Sequence, residues 1–167
     1  GDVRLDGSEQ SGPVRPAAAK DVYPGLTERA RIESVYGSYR ASGREAHRWD
    51  PEAPGNRCML AERLDRIEEL IAGLPPPQQV LEIGCGSGEV LQQLERALPR
   101  TTTVVGIDLV GARLADAITR GGLVGQADGR RLPFVDGQFD LVVMFTVLSS
   151  VLDDELRRDL ATEAMRV

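Results

Sequence analysis

Three acids and one glycine loop carry the chemistry that this sequence offers. Gly84, Gly86 and Gly88 alternate with Cys85 and Ser87, a spacing that lets the backbone take positive φ and lets a ligand approach the main chain closely. Glu82 precedes the loop, and Asp108 and Asp128 follow it. A carboxylate such as Asp108 accepts hydrogen bonds from two vicinal ribose hydroxyls. Asp128-Gly129 offers a carboxylate for an exocyclic amine and a backbone N–H for a ring nitrogen, while the glycines admit what remains of a nucleoside ligand. Each feature also has a plainer reading: a tight strand-to-helix turn, a helix cap, an ordinary Asp-Gly turn. Their joint occurrence, with acids at the ends of successive strands after the loop, favours a nucleoside site.

The elements that must position these residues follow from periodicity. Gln79 to Ile83 is a short apolar run, set off by Pro75-Pro76-Pro77, and reads as a buried strand. From Glu89 the apolar residues Val90, Leu91, Leu94 and Leu98 recur at helical spacing. Thr101 to Ile107 reads as a second strand with Asp108 at its end, and Gly111 to Arg120 as a helix stopped by Gly121-Gly122. Leu123 to Ala127 reads as a third strand closed by Asp128-Gly129. Phe139 to Phe145 is a continuous apolar run, as in a strand buried on both faces, and Leu152 to Val167 is a last helix starting near Asp153 or Asp154. Strands alternating with helices predict a Rossmann-like, doubly wound α/β fold with a parallel sheet, whose ligands bind beyond the carboxyl ends of the strands.

Upstream, residues 1–25 mix Gly, Ser, Pro, Ala and charge without periodicity and are expected to form a disordered or loosely attached arm. Residues 26–57 form a helix and loop, a candidate lid. The helix runs from Leu26 to about Ser42 with Thr27 as N-cap and an imperfect stripe of Ala30, Ile32, Val35, Tyr36 and Tyr39. Its loop carries the only histidine and tryptophan, His47 and Trp49. Asn56 is expected to cap a helix whose apolar face is Leu60, Leu64, Ile67, Ile71 and Leu74, with Arg63 and its acidic neighbours toward solvent. Residues 58–167 then form the nucleoside-binding domain.

Composition narrows the function. The 167 residues suit one domain with an appendage, and a net charge of −6 leaves no basic footprint for nucleic acid or an anionic membrane. Lys20 is the only lysine among the 20 basic residues, which removes phosphate-cradling and Schiff-base lysines from the fold. Cys58 and Cys85 are the only cysteines, one of them inside the glycine loop, and a reducing cytoplasm is expected. No apolar run reaches the ~20 residues of a membrane span. A nicotinamide-dependent dehydrogenase would need glycine at position 89, where the chain has Glu89.

At the residues named above the chain resembles the class I S-adenosylmethionine-dependent methyltransferases, in the small-molecule branch that includes the quinone-biosynthesis enzymes. Val80-Leu-Glu-Ile-Gly-Cys-Gly-Ser-Gly88 is similar to their first motif and Gly106-Ile-Asp108 to their ribose-binding strand end. Asp128, Leu132-Pro-Phe134, Asp136 and Phe139-Asp140 follow the branch's later pattern. The resemblance runs from about Met59 to Val167. It implies S-adenosyl-L-methionine as cofactor and S-adenosyl-L-homocysteine as product, with Glu82, Gly84, Cys85, Gly86, Gly88, Asp108, Leu109, Asp128, Gly129 and Phe145 as cofactor contacts and Tyr36 as a contact from the lid. It implies a small-molecule methyl acceptor that attacks the methyl group through oxygen, nitrogen or carbon; no metal site is expected. Methyl transfer from a sulfonium is an in-line displacement in which positioning carries much of the barrier, so no catalytic triad is required. His47 is a candidate base.

Members of that family continue past the fourth helix with three more strands. The expectation here is therefore a partial sheet of about four strands, with the fourth exposed as an apolar edge that invites self-association, in a fragment that binds cofactor with little turnover. A non-catalytic cofactor-binding or interaction module is the alternative.

Overall fold

The apolar runs between the prolines and glycines become the strands of one sheet. In a computed structural model the described residues are 27–41 and 53–167, and among them lie β1 (Gln79–Ile83), β2 (Thr103–Asp108), β3 (Leu123–Gln126) and β4 (Leu141–Met144). All pairings are parallel, in the order β3-β2-β1-β4. The chain steps outward from β1 through β2 to β3 and then returns to the other side of β1. The strand order thus reverses between β1 and β4, and a crevice opens there at the carboxyl ends. The expected doubly wound α/β sheet is present. The arm expected over residues 1–25 and the loop with His47 and Trp49 lie outside the described residues.

Strand periodicity assigns the two faces. Val80, Val104, Val124, Leu141 and Val143 point to one side, where α2 (Pro54–Ile71) and α3 (Glu89–Ala97) bury Ile67, Val90, Leu91 and Leu94 against them. Leu81, Ile83, Ile107, Val142 and Met144 point to the other, covered by the 127–140 loop through Leu132, Phe134 and Phe139 and by the end of α6 (Asp154–Arg166) through Ala164 and Val167. Leu81, Leu91 and Leu94 are almost wholly buried, and burying a side chain of that size stabilises the fold by about 1.5–3 kcal/mol each.

Several boundaries differ from the sequence reading, each for a local reason. α2 begins at Pro54, with Ala53 as its cap residue, rather than after Asn56. Proline suits the first helical position because its missing N–H has no helical partner to lose. The division expected at residues 57 and 58 therefore falls inside this helix. Leu74 is 52% exposed because α2 has already ended. The segment after β2 opens as a 3₁₀ turn, Gly111–Arg113, before α4 (Leu114–Thr119). β3 stops at Gln126, leaving Asp128 in the loop beyond it. β4 is half-buried throughout rather than enclosed on both faces, because it lies at the sheet edge. A short helix, α5 (Val147–Ser150), follows β4 and was not expected.

The remaining helix, α1 (Glu28–Ala41), starts where expected, with the Ala30 N–H donating to the Thr27 hydroxyl at 3.2 Å. Its most buried described residue is the charged Arg31, at 7% exposure, which explains why its apolar stripe reads as imperfect.

Candidate active site

The crevice at the carboxyl ends of the strands is a cavity of about 620 Å³, bordered on its outer side by α1. Of the residues expected there, Glu82, Gly84, Cys85, Asp108, Leu109, Asp128, Gly129, Phe145 and Tyr36 line it. Gly86 and Gly88 do not reach the lining. Gly86, at φ +52, lies under the Arg113 guanidinium, and a Cβ there would stand 2.6 Å from Arg113 Nη2. Gly88, at φ +86, caps α3, and a Cβ there would stand 2.8 Å from the Ala117 Cβ.

The three acids have different environments. Asp108, 5% exposed, accepts from the Gly86 N–H at 2.9 Å and from the Val110 N–H at 2.8 Å, with Arg113 Nη1 3.5 Å from its Oδ2. It ties the glycine loop to the end of β2, and a carboxylate with about four lone-pair sites keeps acceptor capacity for hydroxyls. Asp128 is held by Arg130, whose Nη2 lies 2.7 Å from Oδ2 and whose backbone N–H donates to Oδ1 at 3.0 Å, with Arg29 Nη1 a further 3.8 Å away. These bonds from Arg130 hold its carboxyl below the usual range. Glu82 is 2% exposed, and its Oε2 has no hydrogen-bond partner. Burial pushes its carboxyl up to about 8, against the opposing pull of Arg63.

Cys85 is buried, and desolvation pushes its thiol up to about 12, so it is no nucleophile at neutral pH. It fills the loop as a small side chain packed on Gly106. Both cysteines are unpaired. Among the described residues no cluster of His, Cys, Asp or Glu has metal-site geometry.

Other residues at the site gave little or no signal in the sequence. Arg63, expected toward solvent, lines the cavity with its guanidinium carbon 5.4 Å from the centroid of the Phe145 ring. Thr146 takes φ 61, the only non-glycine at positive φ among the described residues. A β-branched residue held there is strained, and such strain recurs at ligand sites. α1 is fixed over the cavity by a charged pair: Arg31 grips Glu28 at 2.7 and 2.8 Å and donates to the Ser150 carbonyl at 2.6 Å, while Glu28 accepts from the Leu152 N–H at 2.7 Å. The Tyr36 hydroxyl bonds Ser150 Oγ at 2.9 Å, and Arg113 stacks 4.7 Å from the Tyr36 ring centroid. No single-residue periodicity announces such a contact, since its partners lie on opposite ends of the chain.

Residues 80–167, more than half of the chain, match the family described as methyltransferase domain. The chain belongs to that family. Solved structures similar to this methyltransferase domain include CalS10, an amino pentose methyltransferase from Micromonospora echinaspora with S-adenosylmethionine bound. It is 27% identical, with a TM-score of 0.54 over 74% of this chain and 50% of that one. The PH0226 protein from Pyrococcus horikoshii OT3 is 25% identical, with a TM-score of 0.56 over 71% of this chain and 55% of that one. An S-adenosylmethionine-dependent methyltransferase from Thermotoga maritima, at 23% identity and a TM-score of 0.51 over 77% of this chain and 54% of that one, shares the fold. The chain thus spans about half the length of the structures it matches. No curated protein matches it.

Proposed function

We propose that this methyltransferase domain binds S-adenosyl-L-methionine in the cavity under α1 and serves an enzyme that methylates a small molecule, releasing S-adenosyl-L-homocysteine. The observation that carries this reading is Glu82: a buried carboxyl group with an unpartnered oxygen on the wall of an otherwise largely satisfied site. An orphaned acid costs free energy in the absence of a cation, and the cofactor carries both an ammonium and a sulfonium. The loop fits the same ligand, because a Cβ at Gly84 would collide with Val147 and close the cradle between β1 and α5.

When bound, the cofactor supplies an electrophilic methyl group on a good leaving group. The chain's own residues then bind and orient. Asp108 accepts the ribose hydroxyls while holding the loop through the Gly86 N–H. Asp128 and Gly129 face the base, with Arg130 retaining the Asp128 carboxylate in place. Leu109 and Phe145 provide apolar walls, and Tyr36 closes the outer side as part of a lid that excludes water.

The acceptor is a small molecule by this reading, a class supported by the size of the cavity and by the amino pentose methyltransferase among the similar structures. The absence of a basic footprint argues against nucleic acid. No helix among the described residues is long and apolar enough to cross a membrane, and the unpaired cysteines support a place in the cytoplasm. The test is equilibrium binding of S-adenosylhomocysteine to wild type and to Asp108→Ala. Stoichiometric binding weakened about ten-fold or more by the substitution supports the reading, and no binding by wild type overturns it.

A further inference from the structure

Arg113 touches three segments that lie far apart in sequence. It ends the 3₁₀ turn after β2, and its Nη1 lies 3.5 Å from Asp108 Oδ2. Its guanidinium fills the space that a Cβ on Gly86 would take, and the guanidinium carbon stands 4.7 Å from the centroid of the Tyr36 ring on α1. The side chain lines the cavity and is only 14% exposed. The end of β2, the glycine loop and the lid therefore meet on one planar cation.

The contact with Asp108 is longer than the other bonds of that carboxylate. Its two oxygens accept from the Gly86 and Val110 N–H groups at 2.9 and 2.8 Å, while Arg113 answers the charge from 3.5 Å. Attraction across such a gap is weak when water fills the surroundings and stronger when the site is dry. Hydroxyls that donate to the remaining lone pairs of Asp108 are neutral, so a ligand bound there expels water and leaves the carboxylate charge in place. The pull on Arg113 then rises. Its stack with Tyr36 gains as well, because a cation over a ring is held more firmly once desolvated.

We propose that Arg113 is a positioning residue that couples occupancy of Asp108 to closure of α1. This inference rests on the cofactor reading above and adds to it the route by which the lid senses the ligand. The contacts of Arg31 and the Tyr36 hydroxyl fix α1 to Ser150 on α5, whereas the stack on Arg113 ties α1 to the ligand side of the cavity. Coupling of this kind is reciprocal. A ligand that tightens α1 through Arg113 is itself held more tightly by docked α1, by the same factor.

The test measures amide exchange over residues 28–41 with and without S-adenosylhomocysteine, each protein being compared with itself at saturation so that affinity does not enter. Wild type is expected to exchange about five-fold or more slowly with ligand bound. Arg113→Met, which keeps a long side chain without the charge or the plane, is expected to lose that ratio. Tyr36→Leu removes the same stack from the lid side and is expected to lose it too, which decides the matter should Arg113→Met not fold or bind. Tyr36→Phe keeps the ring and is expected to retain the ratio. A purely structural Arg113 would speed exchange in the empty variants and leave the ratio as in wild type, a result that overturns the assignment. So does a ratio lost in Tyr36→Phe, which would place the coupling on the Ser150 bond. Wild type that binds the ligand with no change over 28–41 overturns the assignment and leaves the cofactor reading standing, whereas wild type that binds nothing overturns both.

Discussion

The chemistry of the site is concentrated in the contrast between Asp108 and Glu82. Asp108 is buried but answered by two backbone N–H groups, whereas Glu82 is buried with one oxygen unanswered. The consequence is a pH signature. Because burial raises the Glu82 carboxyl from 4.5 to about 8, the folded chain holds a proton that the unfolded chain releases over that interval. The associated stability is fully present below about 4.5 and is lost as pH rises toward about 8. Glu82→Gln is therefore expected to melt at a higher temperature than wild type at pH 8, the gap narrowing toward pH 5, as scanning calorimetry across pH reads; a gap of the opposite sign contradicts the assignment. Ligand binding near pH 7 should expel that proton from wild type and not from Glu82→Gln, seen as a binding enthalpy that varies with the ionisation heat of the buffer. Thr146 offers a second check. Replacing it with asparagine, which tolerates the left-handed conformation, is expected to stabilise the chain by about 1 kcal/mol, measured by urea unfolding. At this scale the sequence displayed the glycines and acids through spacing alone. It hid Arg63, because i, i+4 periodicity leaves a residue at the border between the polar and apolar faces of α2 without saying which wall it meets.

Helices and strands were legible where their apolar pattern was strong. α3 shows this best, since Val90, Leu91, Leu94 and Leu98 are all buried as their spacing requires. α1 was legible as a helix and opaque as a lid, because what docks it is Arg31, Glu28 and Tyr36 rather than an apolar stripe. Pro54 illustrates a different limit: read as a loop residue, it instead opens α2. The docking of α1 makes a prediction at this scale. Arg31→Ala removes the bond to the Ser150 carbonyl and leaves Glu28 half-buried without the partner that does most to lower its carboxyl. Faster amide exchange over residues 28–41 is expected, with the sheet amides unchanged and ligand dissociation accelerated. Exchange that rises equally in the sheet would show Arg31 to support the whole fold instead of the lid.

Among the described residues the sheet has its ligand crevice at the reversal of strand order and two edge strands, β3 and β4. β4 is half-buried and apolar, Leu141 to Met144, and its outer edge pairs with no strand among the described residues. An edge of that kind recruits another strand. Sedimentation velocity is expected to show reversible self-association of this chain; a monomer at high concentration would show that the edge is covered otherwise. The parallel order itself was legible from alternation of strands and helices, whereas the shielding of each strand was not, because burial depends on neighbours that local pattern does not name. We propose that this crevice is a sulfonium-nucleoside site. Its most direct test is calorimetric titration of the chain at neutral pH with S-adenosylhomocysteine and, separately, with NAD⁺. One S-adenosylhomocysteine per chain and no heat from NAD⁺ are expected. Silence with S-adenosylhomocysteine, or saturable binding of NAD⁺ in its place, would contradict it.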